Sequence, residues 1–182
     1  FQVTDANGRG IKGLGFTSKK TTDLLPNYQN ISFTLAKLVP GTNGSPSKWV
    51  SYLVKSPATT TSADTPRRPS WETFGTLVDN GDGTYKYTFY TDITKAKDFV
   101  AAQTYTAPNA AADLGDLTYD PTLLHRLVVR IGGNARGTGT NTADGSNSGV
   151  TAVPMGTQKN IVFDWYPATG KVVDAADPNQ RE

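Results

Sequence analysis

The chain has 182 residues, of which 36% are hydrophobic and 19% are charged, and its formal net charge is +2. This charge balance, without any run of lysine or arginine, gives no indication of a nucleic-acid-binding surface. The absence of cysteine excludes disulfides, cysteine-ligated metals and a C-x-x-C-H haem-attachment motif within these residues. The eighteen glycines and eleven prolines favour a β-rich domain with many turns and long loops.

The first half of the chain contains three strand-like segments. Residues 1–5 are predicted to form a strand that ends in a glycine-rich turn. Residues 31–39 carry alternating apolar side chains, as a half-buried strand does. Residues 49–54 are apolar at both parities, which is typical of a segment covered on both faces. Residues 56–70 contain three prolines and are predicted to be a long connection without regular structure.

Residues 75–91 are predicted to form a β-hairpin, and this is the strongest local signal in the chain. In its second strand Tyr85, Tyr87 and Phe89 fall on one face. The turn is the sequence DNGDG at residues 79–83, and Asn-Gly and Asp-Gly pairs tolerate the positive φ angles that tight hairpins require.

The second half of the chain contains one predicted helix and two predicted strands. Residues 92–102 have apolar residues at helical spacing, and Asp92 is placed to cap the first turn. Residues 123–131 form a strand with His125 on its apolar face. Residues 132–149 are of low complexity and are predicted to be a flexible loop or a disordered insertion. Residues 160–166 are predicted to form the last strong strand, with Ile161, Phe163 and Trp165 on one face.

About seven strands separated by turns predict an all-β fold, either a Greek-key β-sandwich or a split β-barrel, with long loops and at most one or two short helices. We expect one domain over residues 1–173, followed by a linker tail over residues 174–182. Neither a signal peptide nor an apolar run of membrane-spanning length occurs in the sequence. Because the chain starts at Phe1 without a methionine, we interpret it as a fragment of a longer protein.

Only weak candidates for a metal site are present. Asp79 and Asp82 offer oxygen ligands in a tight turn, as calcium loops do, but the distal glutamate of the twelve-residue calcium loop is missing. Turn chemistry alone explains both residues. Three further aspartates, Asp113, Asp116 and Asp120, are equally unspecific. A single histidine without cysteine is a poor metal site, and we expect His125 to be a core histidine that makes one or two hydrogen bonds.

No catalytic constellation stands out. The G-x-S-x-G motif of the nucleophile elbow is absent, and the glycines near the start open no helix within a βαβ unit. A distant pair of carboxylates for glycoside hydrolysis remains open. The tryptophans Trp49, Trp71 and Trp165, with eight tyrosines, could build a sugar-binding platform, although aromatic residues in strands more often belong to the core.

Four segments carry a family resemblance. They are FTLAKLVPGTNGSPSKWVSYL (33–53), GTLVDNGDGTYKYTFYTDIT (75–94), LTYDPTLLHRLVVRIGG (117–133) and NIVFDWYPATG (160–170). In this order they resemble the N-terminal, haem-free β-domain of the outer-membrane decahaem c-type cytochromes of the OmcA/MtrC family. The first and third segments are the more specific, since the DNGDGTY hairpin is common among sandwich domains.

The resemblance implies a non-catalytic structural or interaction domain of a multihaem cytochrome that passes electrons to extracellular acceptors, as in dissimilatory metal reduction. It implies export to the outer membrane and cell surface of a Gram-negative bacterium. It places haem c in separate domains beyond this chain, so that no cofactor is expected within it. The implied partners are the adjacent haem domains of the parent, with a porin–cytochrome complex, a flavin or an iron-oxide surface as further ones.

One short element in the resembling segments relates to surface contact. A Ser/Thr-Pro-Ser/Thr element is associated with hydroxyl contacts to iron oxide in this family, and Ser45, Pro46 and Ser47 fit its three positions. An ordinary loop turn explains the same residues. The alternative to the cytochrome interpretation is an extracellular Ig-like binding module for carbohydrate or another surface partner.

Overall fold

The computed structural model describes residues 1–55, 68–102, 113–156 and 158–174. It confirms the all-β class and the single short helix. The strands are β1 (Thr17–Ser18), β2 (Asn27–Tyr28), β3 (Ile31–Val39), β4 (Lys48–Ser51), β5 (Val54–Lys55), β6 (Arg68–Pro69), β7 (Thr76–Asp79), β8 (Tyr85–Thr88), β9 (His125–Ile131), β10 (Lys159–Tyr166) and β11 (Lys171–Val173). A 3₁₀ turn over Ile93–Lys95 leads into α1 (Ala96–Ala102).

The longest strands belong to one five-stranded sheet with the order β11-β10-β9-β3-β4, and three two-stranded sheets pair β1 with β2, β5 with β6 and β7 with β8. The chain divides into two compact units. The first comprises Phe1–Phe33, Glu72–Tyr90 and Val129–Asn160, and the second comprises Thr34–Trp71, Thr91–Val128 and Ile161–Glu182. The predicted boundary after residue 173 stays a prediction, because residues 175–182 lie outside the described part.

The predicted hairpin organises the core of the first unit. Strands β7 and β8 pair antiparallel, with Asp79 opposite Tyr85 and Thr76 opposite Thr88. The ring of Tyr87 stacks on Phe33 with 3.6 Å between the centroids, and its hydroxyl donates to the buried Glu72 carboxylate at 2.7 Å. A buried carboxylate needs such donors to offset its lost hydration. The hairpin therefore supplies both an aromatic ring that packs in this core and a hydrogen-bond donor for its carboxylate.

The predicted strand over residues 1–5 is wrong. Only isolated bridges form there, between Gln2 and Thr84 and between Thr4 and Gly10. The reason is the turn that follows, in which the amides of Asn7 and Arg9 both donate to the Asp5 carboxylate. The chain therefore reverses before a continuous ladder can form.

The segment predicted as one strand over residues 49–54 is interrupted. Strand β4 ends at Ser51, and β5 begins at Val54 and pairs with β6. Between them Tyr52 and Leu53 are both buried. Residues 56–70 were predicted to lack regular structure, and this is wrong at the end of the range, where β6 forms. Residues 56–67 lie outside the described part.

Residues 132–149 form a loop, as predicted, but the loop is hydrogen-bonded within itself, so the alternative of a disordered insertion is wrong. The amide of Gly139 donates to Val150, and the amide of Ser148 donates back to Gly139. The buried Asn30 side chain donates to the carbonyl groups of Gly132 and Asn134. Hydrogen bonds from the amide of Ser146 and from neighbouring hydroxyls lower the pKa of the Asp144 carboxyl to about 2.

The predicted helix is confirmed, and Asp92 caps the segment by accepting a hydrogen bond from the Thr94 amide at 3.0 Å. The strand over 123–131 begins two residues later than predicted, and β10 agrees with the last predicted strand. Two of the residues on the predicted common face of β10 are largely uncovered, since Ile161 and Phe163 are 44% and 45% exposed. Strand alternation gives the parity of side chains but does not say what covers them.

An ion pair joins β9 to β10 within the second unit. The Arg126 guanidinium donates to both carboxylate oxygens of Asp164, at 2.8 Å from Nε and 2.7 Å from Nη2. Asp164 is fully buried, and the guanidinium also lies 4.2 Å above the Trp49 ring. Removing one partner of such a pair leaves a buried charge without compensation, which is strongly destabilising.

We therefore expect Asp164→Asn to lower the free energy of unfolding by about 3 to 5 kcal/mol, measured by urea denaturation. The matched control is Asp113→Asn, which removes an exposed pair with Lys48 and should leave the free energy of unfolding nearly unchanged. Equal losses in the two variants would contradict a structural role for the buried pair.

Candidate functional site

A cleft of about 390 Å³ lies in the second unit, and the predicted Ser45-Pro46-Ser47 element forms part of its wall. Its remaining wall comes from the end of β3, the residues that precede β9 and the last residue of β10. The lining residues are Leu38, Pro40, Gly41, Ser45, Pro46, Ser47, Thr122, Leu123, Leu124 and Tyr166. We call this the Ser-Pro-Ser cleft.

Turn chemistry brings the serines to the cleft. Asn43 and Gly44 both have positive φ angles, of 54° and 81°, which allow the tight reversal after β3. The Ser45 amide closes the turn on the Thr42 carbonyl at 3.0 Å, and the Ser47 hydroxyl accepts from the Gly41 amide at 3.3 Å. A side chain at Gly41 would collide with the Ser45 carbonyl, so the close return of the loop requires glycine there.

The opposite wall is fixed by backbone hydrogen bonds. The Leu38 amide donates to the Leu124 carbonyl at 2.8 Å. The Thr122 amide and hydroxyl both donate to Asp120, at 2.9 and 2.6 Å, and these bonds lower the pKa of the Asp120 carboxyl. The wall is therefore anchored on both sides of Leu123, and Thr122 has its hydroxyl proton engaged.

The chemistry of the cleft is neutral. Leucines and prolines provide an apolar lining, while Ser45, Ser47 and Tyr166 provide hydroxyl groups. None of the described lining residues carries a formal charge. Small-molecule sites combine an apolar lining with a few polar groups that orient the ligand. This arrangement suits an uncharged ligand and offers no general base or metal ligand of its own.

His125 lies beneath this wall as a fully buried core residue, in agreement with its predicted role. Its Nδ1 atom is 2.9 Å from the Leu123 carbonyl and its Nε2 atom is 2.9 Å from the Tyr52 hydroxyl. Because a carbonyl only accepts, Nδ1 carries the proton and Nε2 accepts from Tyr52. Burial lowers the pKa of the imidazole and raises the pKa of the Tyr52 hydroxyl, so both groups are neutral near pH 7.

The surroundings of this pair include a buried lysine. Lys37 is 2% exposed, donates to the Thr118 carbonyl and lies 3.9 Å from the Asp116 carboxylate. Tyr119 and Trp165 pack around the imidazole, with centroid distances of 5.5 and 5.7 Å. The parity of Lys37 with the buried Leu35 was the available signal for its burial.

The calcium candidates Asp79 and Asp82 are exposed and serve the hairpin turn. Asp79 accepts from the amides of Gly13 and Gly81, both within 2.9 Å. Asp82 accepts from the amide and hydroxyl of Thr84. These donors lower the pKa of both carboxyls. Among residues 1–55, 68–102, 113–156 and 158–174, no group of three histidine or acidic side chains is placed to hold a metal.

The three tryptophans have different surroundings. Trp165 packs in the buried cluster with His125, Trp49 is 37% exposed beside the Arg126 guanidinium, and Trp71 is 49% exposed. No local pattern in the sequence predicts the pairing of Arg126 with Asp164, because the two residues are 38 positions apart. Their placement on neighbouring strands could be inferred only once the sheet order was known.

Two solved structures are similar to this chain. One is the crystal structure of the outer membrane decaheme cytochrome OmcA, with a TM-score of 0.50 and 20% identity, and the match covers 98% of this chain and 22% of that one. The other is MtrC from Shewanella baltica OS185, with a TM-score of 0.48 and 21% identity over 96% and 20% of the two chains. The chain thus spans about a fifth of the length of either cytochrome.

No family model and no curated protein matches the chain. The solved structures are nevertheless cytochromes of the family that the four sequence segments resemble, so the resemblance holds at the level of the fold. Because the chain has no cysteine, it cannot bind haem c covalently. In the described ranges, no helix has the length and hydropathy needed to cross a bilayer.

The buried imidazole predicts a pH dependence of stability. Its pKa in the folded state lies below the ordinary value of about 6.5, so as pH falls the unfolded chain takes up the proton first. The free energy of unfolding should therefore decrease as pH falls below about 6.5, before the carboxyl groups titrate. The groups around the imidazole are Tyr52, Tyr119, Trp165, Lys37 and Asp120.

We expect His125→Gln to reduce this dependence, since glutamine can accept from Tyr52 but does not titrate. Urea denaturation of both proteins at about pH 7.5 and about pH 5.5 measures the difference. A wild-type stability that is the same at the two pH values, or an undiminished decrease in the variant, would contradict the assignment.

Proposed function

We propose that this chain is a non-catalytic β-domain of a cell-surface multihaem c-type cytochrome used in extracellular electron transfer. The observation that supports this most directly is the fold similarity to OmcA over 98% of the chain, with only 22% of that cytochrome involved. In this proposal haem c belongs to the adjacent part of the parent protein. The proposed location is the outer membrane, exposed at the cell surface.

The polar groups of the chain support a structural role. The imidazole of His125 and the carboxylates of Glu72 and Asp164 are buried, and each is engaged in hydrogen bonds within the fold. Catalytic acids and bases instead need to reach a substrate in a cleft. The Ser-Pro-Ser cleft contains no such group among its lining residues, which favours an interaction domain over an enzyme.

The physical task of such a domain is to hold its neighbour in place. The protein controls haem chemistry through ligation, burial and contacts around the ligands. A hydrogen-bonded sheet that packs against a haem-bearing region can limit solvent access to a haem edge and fix its position. The further partners suggested by the resemblance, namely a porin–cytochrome complex, a flavin and an iron-oxide surface, stay predictions.

The test uses the parent protein and a variant that lacks residues 1–173. We expect covalently bound haem in the parent, and the same haem content per chain in the variant, because no haem-attachment cysteine is removed. The variant should be cleaved faster by protease in its haem-bearing part. Pyridine haemochrome spectra and limited proteolysis measure the two quantities. A parent without covalent haem would exclude the proposed function.

A second candidate is a binding module for a neutral ligand such as an oligosaccharide. The uncharged Ser-Pro-Ser cleft, with Tyr166 at its wall, is the observation that favours it. Aromatic residues supply much of the contact energy in such sites.

If the cleft binds neutral oligosaccharides, Tyr166→Ala should weaken binding about two- to tenfold, as measured by calorimetric titration. The matched control is Tyr90→Ala, which alters a surface tyrosine of the other unit and should leave binding unchanged. Absence of saturable binding by the wild-type protein would remove this candidate.

A further inference from the structure

An apolar stripe lies on one face of strands β10 and β11 in the second unit. Ile161, Phe163 and Trp165 alternate along β10, so their side chains lie on the same face. Val172 on β11 is directly opposite Trp165 and shares that face. Ile161, Phe163 and Val172 are 44%, 45% and 57% exposed. We call these three residues the β10–β11 stripe.

The stripe continues the covered face of the sheet. Trp165 packs on His125 on this face, whereas on the opposite face Asp164 and Val173 are buried and Val162 is 39% exposed. The apolar face thus continues from Trp165 to β11, the edge strand of the described sheet. The residues that pack on Trp165 do not extend that far. Contiguous apolar patches of this kind on the surface of a domain are often functional.

The size of the stripe identifies the kind of partner. Three partly exposed side chains offer on the order of a few hundred Å². A stable dimer of independent chains needs about 800 Å² from each partner. A neighbour on the same polypeptide needs much less, because a short linker raises its effective concentration to the millimolar range.

The position of the stripe agrees with a tethered partner. Val172 lies one residue before the end of β11, which is the last described strand. The polypeptide leaves the sheet after Val173, so a domain that follows β11 on the same polypeptide is tethered beside the edge that carries the stripe.

We propose that the β10–β11 stripe is the surface on which the following haem-bearing domain of the same polypeptide packs. This inference rests on the proposed function, since it requires such a domain in the parent. The partner surface is apolar, and the contact buries Phe163 and Val172 against it. The interface fixes the orientation of the two domains, whereas the linker alone fixes only their distance.

The absence of cysteine in the chain allows a direct test by thiol labelling of the parent protein. Val172→Cys places a thiol in the stripe, and Val150→Cys is the matched control, since Val150 is 54% exposed in the other unit. Ile161→Cys, with Val78→Cys as its control at 48% exposure, provides a second pair. In c-type cytochromes the haem-attached cysteines are in thioether bonds, so a maleimide reports the introduced thiol.

We expect each stripe thiol to react at least about tenfold more slowly than its control in the parent, and at a rate similar to its control in the 182-residue chain alone. Equal rates in the parent would overturn the inference. Slow labelling of the stripe in the chain alone would also overturn it: dependence on protein concentration would identify a second copy as the occupant, and independence would identify the chain's own residues.

The haem content of the same parent samples distinguishes a failure of the docking surface from a failure of the proposed function. A parent that contains haem but labels rapidly at the stripe contradicts only the docking surface. A parent without haem contradicts the proposed function, whatever the labelling rates are.

Discussion

The hydrogen bond between Tyr52 and His125 is the interaction on which the second unit depends. It fixes the tautomer of a fully buried imidazole, whose other nitrogen then donates to the Leu123 carbonyl. That second bond fixes the chain just before β9, where the Leu124 carbonyl accepts a hydrogen bond from the Leu38 amide. Leu38, Leu123 and Leu124 all line the Ser-Pro-Ser cleft. One wall of the Ser-Pro-Ser cleft is thus set by the satisfaction of a buried polar group in the core.

Each unit buries polar groups in its core and pairs them by hydrogen bonds. In the first unit Glu72 accepts from the Tyr87 hydroxyl and the Tyr90 amide, both within 2.8 Å. In the second, Asp164 accepts two bonds from Arg126. Burial raises the pKa of Tyr87, with the Glu72 bond as the next cause, so this phenol remains protonated. These groups specify which strands pair and at what register, because a shifted register would leave a buried charge without a partner.

The sequence predicted the parts of the fold that local chemistry determines. The hairpin follows from its Asn-Gly and Asp-Gly turn, β3 from its alternation, and the start of the helical segment from Asp92. Strands of two residues, such as β5 and β6, have no periodic signal and exist only because distant segments meet. The loop over residues 132–149 was mistaken for disorder because its order depends on Asn30, more than a hundred positions away.

The candidate sites show the same limit. Sequence reasoning selected the Ser45-Pro46-Ser47 element, but its neighbours in the cleft come from residues 122–124 and Tyr166, which no local pattern connects to it. The parity of β10 was predicted correctly, whereas its degree of burial does not follow from parity. Burial is a property of what covers a face, and for Ile161 and Phe163 the described chain supplies no complete cover.

That difference between parity and burial has a physical meaning for a domain of this size. An apolar face at a sheet edge carries a solubility cost when it is left exposed. A tethered neighbour can remove this cost with a small interface, because linkage replaces most of the affinity that free partners would need. Such an interface also transmits orientation, since side chains packed on a hydrogen-bonded sheet move with the sheet. Under the proposed function, in which the neighbour carries haems and its orientation and solvent access affect the cofactor, a rigid β-domain with one uncovered edge is physically sufficient.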